Sequence, residues 1–186
     1  MKIKILLFII AVQACLVGCA NQFFVPEYRP ARSTVLSSTS SALSPTLTYS
    51  IADVQQASNV SSSILCRLAG GVEVPRKMSF AQYVEGALRQ ELSNRNMYAA
   101  GSPSALSIVL NELDFRSTEM ELSFSQRARW VVSMSIRLPD KSFELKSNYD
   151  FMLSHAHSNI ACREVANALP LALRDSLQKL LYQLEQ

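Results

Sequence analysis

The sequence predicts an α+β fold: a two-layer sandwich, with a mainly antiparallel sheet and two helices packed on one face. Three observations predict it. Between Arg127 and Leu153, two runs alternate apolar and polar residues on either side of a turn, as strands with one buried face do. Phe80 to Leu92 and Cys162 to Leu184 repeat apolar residues at helical spacing. These segments interleave along residues 46–186, a length typical of one domain, with no internal repeat.

The domain opens with Leu47, Tyr49 and Ile51 alternating with Thr48 and Ser50, which predicts a first strand. A polar turn surrounds Asn59, and Ile64 to Leu68 predicts a second short strand carrying Cys66. Gly70, Gly71 and Pro75 read as punctuation. Ser79 is placed as an N-cap, and Gln82 completes a capping box. Met78 and Tyr83 stand where a hydrophobic staple forms. Phe80, Tyr83, Val84, Ala87, Leu88 and Leu92 then share one helix face, and the helix fades at Asn94–Asn96.

Three strands follow the loop closed by Gly101 and Pro103. In Ala105 to Arg116, Leu106, Ile108 and Leu110 have one parity and Leu113 and Phe115 the other, which predicts a bulge near Asn111. The next strand is sharper: Ala128, Trp130, Val132, Met134, Ile136 and Leu138 all fall on even positions. Pro139-Asp140-Lys141 makes a turn. Phe143, Leu145, Tyr149, Phe151 and Leu153 then face the core, with Glu144, Lys146, Asn148 and Asp150 outward. A last helix from about Asn159 to Leu184 carries Cys162, Val165, Ala166, Leu169, Leu173, Leu177, Leu180 and Leu184 as its apolar stripe. Pro170 inside it is expected to kink it.

The residues before the domain suggest export. Lys2 and Lys4 precede an apolar run from Ile5 to Val17, broken only by Gln13. The run is shorter than the ~20 residues a permanent span requires, and reads as a signal peptide over 1–18. It ends in Leu16-Val17-Gly18-Cys19, which matches a lipobox. Small residues let the scissile bond enter a peptidase, and the exposed thiol receives diacylglycerol. Cys19 is therefore the expected lipidation site. Two or more acyl chains hold a protein stably at a membrane, where one holds it weakly. Ala20, in place of Asp, favours the outer membrane by resemblance to enterobacterial sorting rules. Residues 19–45 read as the acylated cysteine and a flexible tether, with Ser33, Ser37, Ser38, Ser40, Ser41 and Ser44 clustered. Phe23, Phe24 and Tyr28 break that composition, and either dock on the domain or rest at lipid headgroups.

The full chain has 18 basic and 15 acidic side chains; loss of Lys2 and Lys4 leaves 16 against 15. A nearly neutral mature domain gives no ground for nucleic acid as a partner. Cys15 leaves with the signal and Cys19 carries lipid, so Cys66 and Cys162 remain in an oxidising compartment. They either pair, closing a loop of about 100 residues worth up to ~4.7 kcal/mol, or lie buried as small hydrophobes.

No catalytic constellation is found: there is no GxSxG, Walker A, GxGxxG after a strand, or HExxH. No cofactor is implied. His155 and His157 would face one side of a strand end, but no third ligand has metal-site spacing, so no metal is expected. The polar face carries Arg127, Arg129, Arg137 and Lys146 with Glu144 and Asp150. It reads either as a docking surface for an envelope protein or as a solvated face of cross-strand pairs.

The order of elements resembles the YajG-type outer-membrane lipoproteins over residues 47–186. More loosely, it is similar to the small auxiliary lipoproteins of envelope transport systems. The likeness lies in the lipobox, the Ser-rich tether, and the helix Phe80-x-x-Tyr83-Val84-x-x-Ala87-Leu88-x-x-Glu91-Leu92. A loop with Tyr98, the strand Leu106-Ser107-Ile108-Val109-Leu110, a hairpin and a final helix complete it. Cys66 and Cys162 depart from that pattern. The resemblance implies a non-enzymatic, membrane-anchored lipoprotein that binds an envelope partner, or an auxiliary subunit of a lipid or solute transport system. It supplies no catalytic residue.

Overall fold

The computed structural model describes residues 21–30, 47–66, 70–117, 126–153 and 158–186. The signal segment 1–18, Cys19, the serine cluster at 33–44, Leu68 and the pair His155 and His157 lie outside them. The elements run in the order β1 (Asn21–Phe24), β2 (Ser50–Gln56), β3 (Ile64–Cys66), β4 (Gly70–Glu73), a 3-10 turn (Pro75–Lys77), α1 (Phe80–Asn94), β5 (Ala105–Ser117), β6 (Gln126–Arg137), β7 (Ser142–Leu153) and α2 (Ser158–Leu184). The α+β sandwich expected from the sequence is present, but its strands form two sheets, ordered β2-β5-β6-β7 and β1-β4-β3.

The larger sheet follows the alternation. β5, β6 and β7 are antiparallel, and Trp130 stands opposite Phe115 on one side and Tyr149 on the other. The inward even residues of β6 are almost fully buried, Trp130 and Met134 completely. The parity switch in β5 is a register shift between Leu110 and Glu112, so the bulge lies at Asn111. The first strand begins later than the alternation suggested. Tyr49 makes only an isolated bridge to Tyr98, Leu47 is exposed, and β2 pairs parallel to β5 from Ser50. A parallel neighbour requires a crossover, which here contains β3, β4 and α1.

α1 forms as its capping residues dictate. The Gln82 amide donates to Ser79 Oγ at 3.1 Å, and the Ser79 amide donates to Gln82 Oε1 at 2.8 Å. α2 runs from Ser158 to Leu184 without interruption at Pro170, whose missing N–H leaves one helical bond unmade. All eight stripe residues from Cys162 to Leu184 are buried. Trp130 is fixed from the helix layer, its indole N–H donating to the Val165 carbonyl at 3.0 Å.

The span 19–45, expected to be tether from its start, has its early part within the fold. β1 pairs parallel to β4, from Asn21 opposite Gly70 to Phe24 opposite Glu73. Val25 and Tyr28 are buried, and Phe23 packs against the core. The Tyr28 hydroxyl donates to Glu91 Oε1 at 2.5 Å, the Tyr83 hydroxyl to the Pro26 carbonyl at 2.7 Å, and Arg174 Nη2 to the Arg29 carbonyl at 2.6 Å. This strap was hidden because NQFF is short and shows no period of its own. Its partner, Gly70–Glu73, reads as a turn until it is paired.

Cys66 and Cys162 form a disulfide, with Cα atoms 5.6 Å apart, within the usual range for a bridge. Since Cys66 is opposite Gly70 and Gly70 is opposite Asn21, the bridge ties the small sheet and the strap to the first turns of α2.

Candidate functional site

The outward parity of β5–β7 builds the polar face. Arg129 stands opposite Asp150, and the pair is bidentate, with Nε–Oδ1 at 2.5 Å and Nη2–Oδ2 at 3.0 Å. The guanidinium's hydrogen bond, joined by its charge, holds the Asp150 carboxyl below the ordinary carboxylate range. Lys146 Nζ reaches Glu112 Oε2 at 2.9 Å, and Arg116 bridges Glu112 at 2.7 Å and Asp114 at 2.9 Å. Arg129–Asp150 and Lys146–Glu112 join different strands, whereas the Arg116 pairs lie within β5; all are exposed, and solvent screens them. Val131 is buried on the same face, in the ladder line between Asp114 and Asn148.

The residues expected to form a partner surface do not form one patch. Arg127 and Arg137 are ten residues apart on β6, about 33 Å along the strand. Arg129 and Lys146 are engaged in the pairs above. Arg137 makes no ion pair among the described residues. It lines a groove of about 550 Å³ at the hairpin-turn end, with Asp53, Gln55, Ser135, Ser142 and Glu144. Gln55 donates to Asp53 at 2.5 Å within it. A second concavity at the opposite end of the face holds Arg127, Arg129, Phe151 and Met152.

The groove at Arg137 combines one cation, two carboxylates, three serine hydroxyls and the Gln55 amide on one sheet face. That set is suited to hydrogen bonding with a polar partner. Asp53 and Gln55 were missed because β2 lacks period-two burial. Its edge position beside β5 brings them to the face.

A further polar cluster lies between β7 and α2. The Ser147 hydroxyl donates to Asp175 Oδ2 at 2.5 Å, and Lys179 Nζ donates to Asp175 at 2.6 Å and to Ser147 Oγ at 2.9 Å. Burial pushes the Asp175 carboxyl up, but the bonds from Lys179 and Ser147 outweigh it and hold it low. Ser147 is almost fully buried, so the cluster pins the helix to the sheet. Among the described residues, no group of three or more His, Cys, Asp or Glu is placed to hold a metal, and no helix is long and apolar enough to cross a membrane.

No protein-family model matches the chain, and a search of curated proteins finds no match. Solved structures similar in shape include the rare lipoprotein B from Shewanella oneidensis, 10% identical, with a TM-score of 0.45 over 74% of this chain and 93% of that one. A minor lipoprotein from Acinetobacter baumannii is 12% identical, with a TM-score of 0.44 over 74% of this chain and 91% of that one. An uncharacterized protein, 5% identical, has a TM-score of 0.46 over 86% of this chain and 99% of that one. Similarity at this level says nothing about role.

Proposed function

We propose that the chain is a bacterial envelope lipoprotein, cleaved before Cys19, acylated on that cysteine and held at the outer membrane on its periplasmic side. Its domain binds an envelope protein and catalyses no reaction. The observation that carries the reading is Leu16-Val17-Gly18-Cys19 at the end of an apolar run headed by Lys2 and Lys4. The disulfide is in keeping with an oxidising compartment. The YajG-type pattern in the sequence supports the same class. The partner contacts the groove at Arg137, where Arg137 and Glu144 have no ion-pair partner among the described residues.

Fractionation of cells expressing Cys19→Ser tests the anchor. The variant is expected to leave the membrane fraction, and membrane retention equal to wild type contradicts acylation. Crosslinking through a photoreactive residue at Ser135 tests the surface. One dominant envelope protein, lost with Arg137→Glu, is expected; an adduct pattern unchanged by that substitution counts against the groove.

A further inference from the structure

The docked strap changes what a lipid on Cys19 would do. Cys19 precedes Asn21 by two residues, a reach of at most about 7 Å, and Asn21 is already paired with Gly70 in the small sheet. An acylated Cys19 therefore brings the small sheet to the bilayer itself. A tether of 27 residues would have allowed the domain to stand well away; the chain between anchor and first strand does not.

The surface it brings there carries two projecting apolar side chains, Phe24 and Leu65, with Gln22 exposed beside them. Gln22, Gly71 and Leu65 lie in one line across the small sheet, and Phe24 and Glu73, two residues on, lie in the next line of the same face. Their inward neighbours Val72 and Cys66 are buried, whereas Phe24 is 54% and Leu65 70% exposed. Gly71 puts no side chain on its line beside Leu65. Ile160, two residues before the bridged Cys162, is a third exposed apolar group at this end. Aromatic and leucine side chains of this kind settle about 5–10 Å into the headgroup and acyl boundary.

We propose that the outer face of β1-β4-β3, through Phe24 and Leu65, rests on the bilayer that holds the anchor. This rests on the acylation of Cys19 proposed above. Glu73, half-buried on the same face, is the charge the contact must accommodate at the headgroup level.

The test uses the full-length protein purified from cell membranes and mixed with phosphatidylethanolamine–phosphatidylglycerol vesicles with brominated acyl chains. Tryptophan is introduced in turn as Phe24→Trp, Leu65→Trp and, as a control, Tyr182→Trp. Trp130 is fully buried and gives a constant background. Tyr182 lies beside β7, at the sheet edge away from β5, and about 30 Å along α2 from Cys162. A melting temperature near wild type qualifies each variant, and flotation with the vesicles reports the anchor. The added emission at 24 and 65 is expected to be largely lost, and that at 182 retained. Floating protein without quenching at 24 and 65, or with equal quenching at all three positions, overturns the docked face while leaving the anchor intact. Protein that fails to float overturns the acylation and the docking with it.

Discussion

Glu91 is a carboxylate within the apolar stripe of α1, 2% exposed, and Tyr28 meets it from the strap. A hydrogen bond to a charged group contributes about 1.5–3 kcal/mol, and removing one partner leaves the other buried and unsatisfied. Tyr28→Phe is expected to cost about that much, read as a lowered midpoint in urea unfolding with an unchanged slope. Burial, then the Glu91 hydrogen bond, raises the Tyr28 hydroxyl above its ordinary range, and burial followed by the Glu27 charge raises that of Tyr83. A raised folded value means the stabilisation is intact below the unfolded value of about 10 and is lost as pH rises through the folded one. Absorbance at 295 nm should therefore show these two tyrosines ionising only as the chain unfolds in alkali; early titration of both contradicts their burial. Residue types alone left Tyr28 undecided between the domain and the membrane, because its partner is 63 positions away.

Among the elements, those with a local signal were legible and those made by distant pairing were not. Ser79 and Gln82 announce the start of α1, and Ser79→Ala is expected to cost about 1 kcal/mol in thermal unfolding. The even positions of β6 and the parity switch at Asn111 mark the core face and the bulge, since a one-residue slip reverses every side chain. β1 and β4 carry no such mark: two glycines in four residues look like a turn, and only pairing with Asn21–Phe24 on one side and Ile64–Cys66 on the other makes Gly70–Glu73 a strand. The disulfide was legible as one of two alternatives, by elimination among four cysteines. It closes a separation of 96 residues, and Cys66→Ser is expected to cost about 2–5 kcal/mol. Loss of the oxidised band's faster mobility on a non-reducing gel should accompany it. Two freely labelled thiols in the native protein would contradict the bridge.

At the scale of the whole molecule, the polar face was legible as a face but not as a site. Arg127, Arg129, Arg137 and Lys146 share an outward parity, yet strand length separates the first from the third, and acidic partners engage the second and fourth. The Arg137 end is completed into a groove by Asp53 and Gln55 from β2, while Arg127 and Arg129 line a separate concavity at the other end. Trp130 meets Val165 near the start of α2, whereas Lys141 at the hairpin turn meets Gln183 near its end, so the bridged cysteines and β1 lie toward the end of the large sheet away from the Arg137 groove. The proposed anchoring depends on the modification of one thiol. Intact-mass and N-terminal peptide mass spectrometry of the protein purified from membranes measures it directly. The mature chain is expected to begin at Cys19 and to carry the added mass of a diacylglyceryl group; a chain that begins elsewhere, or begins at Cys19 without acyl mass, overturns the anchor.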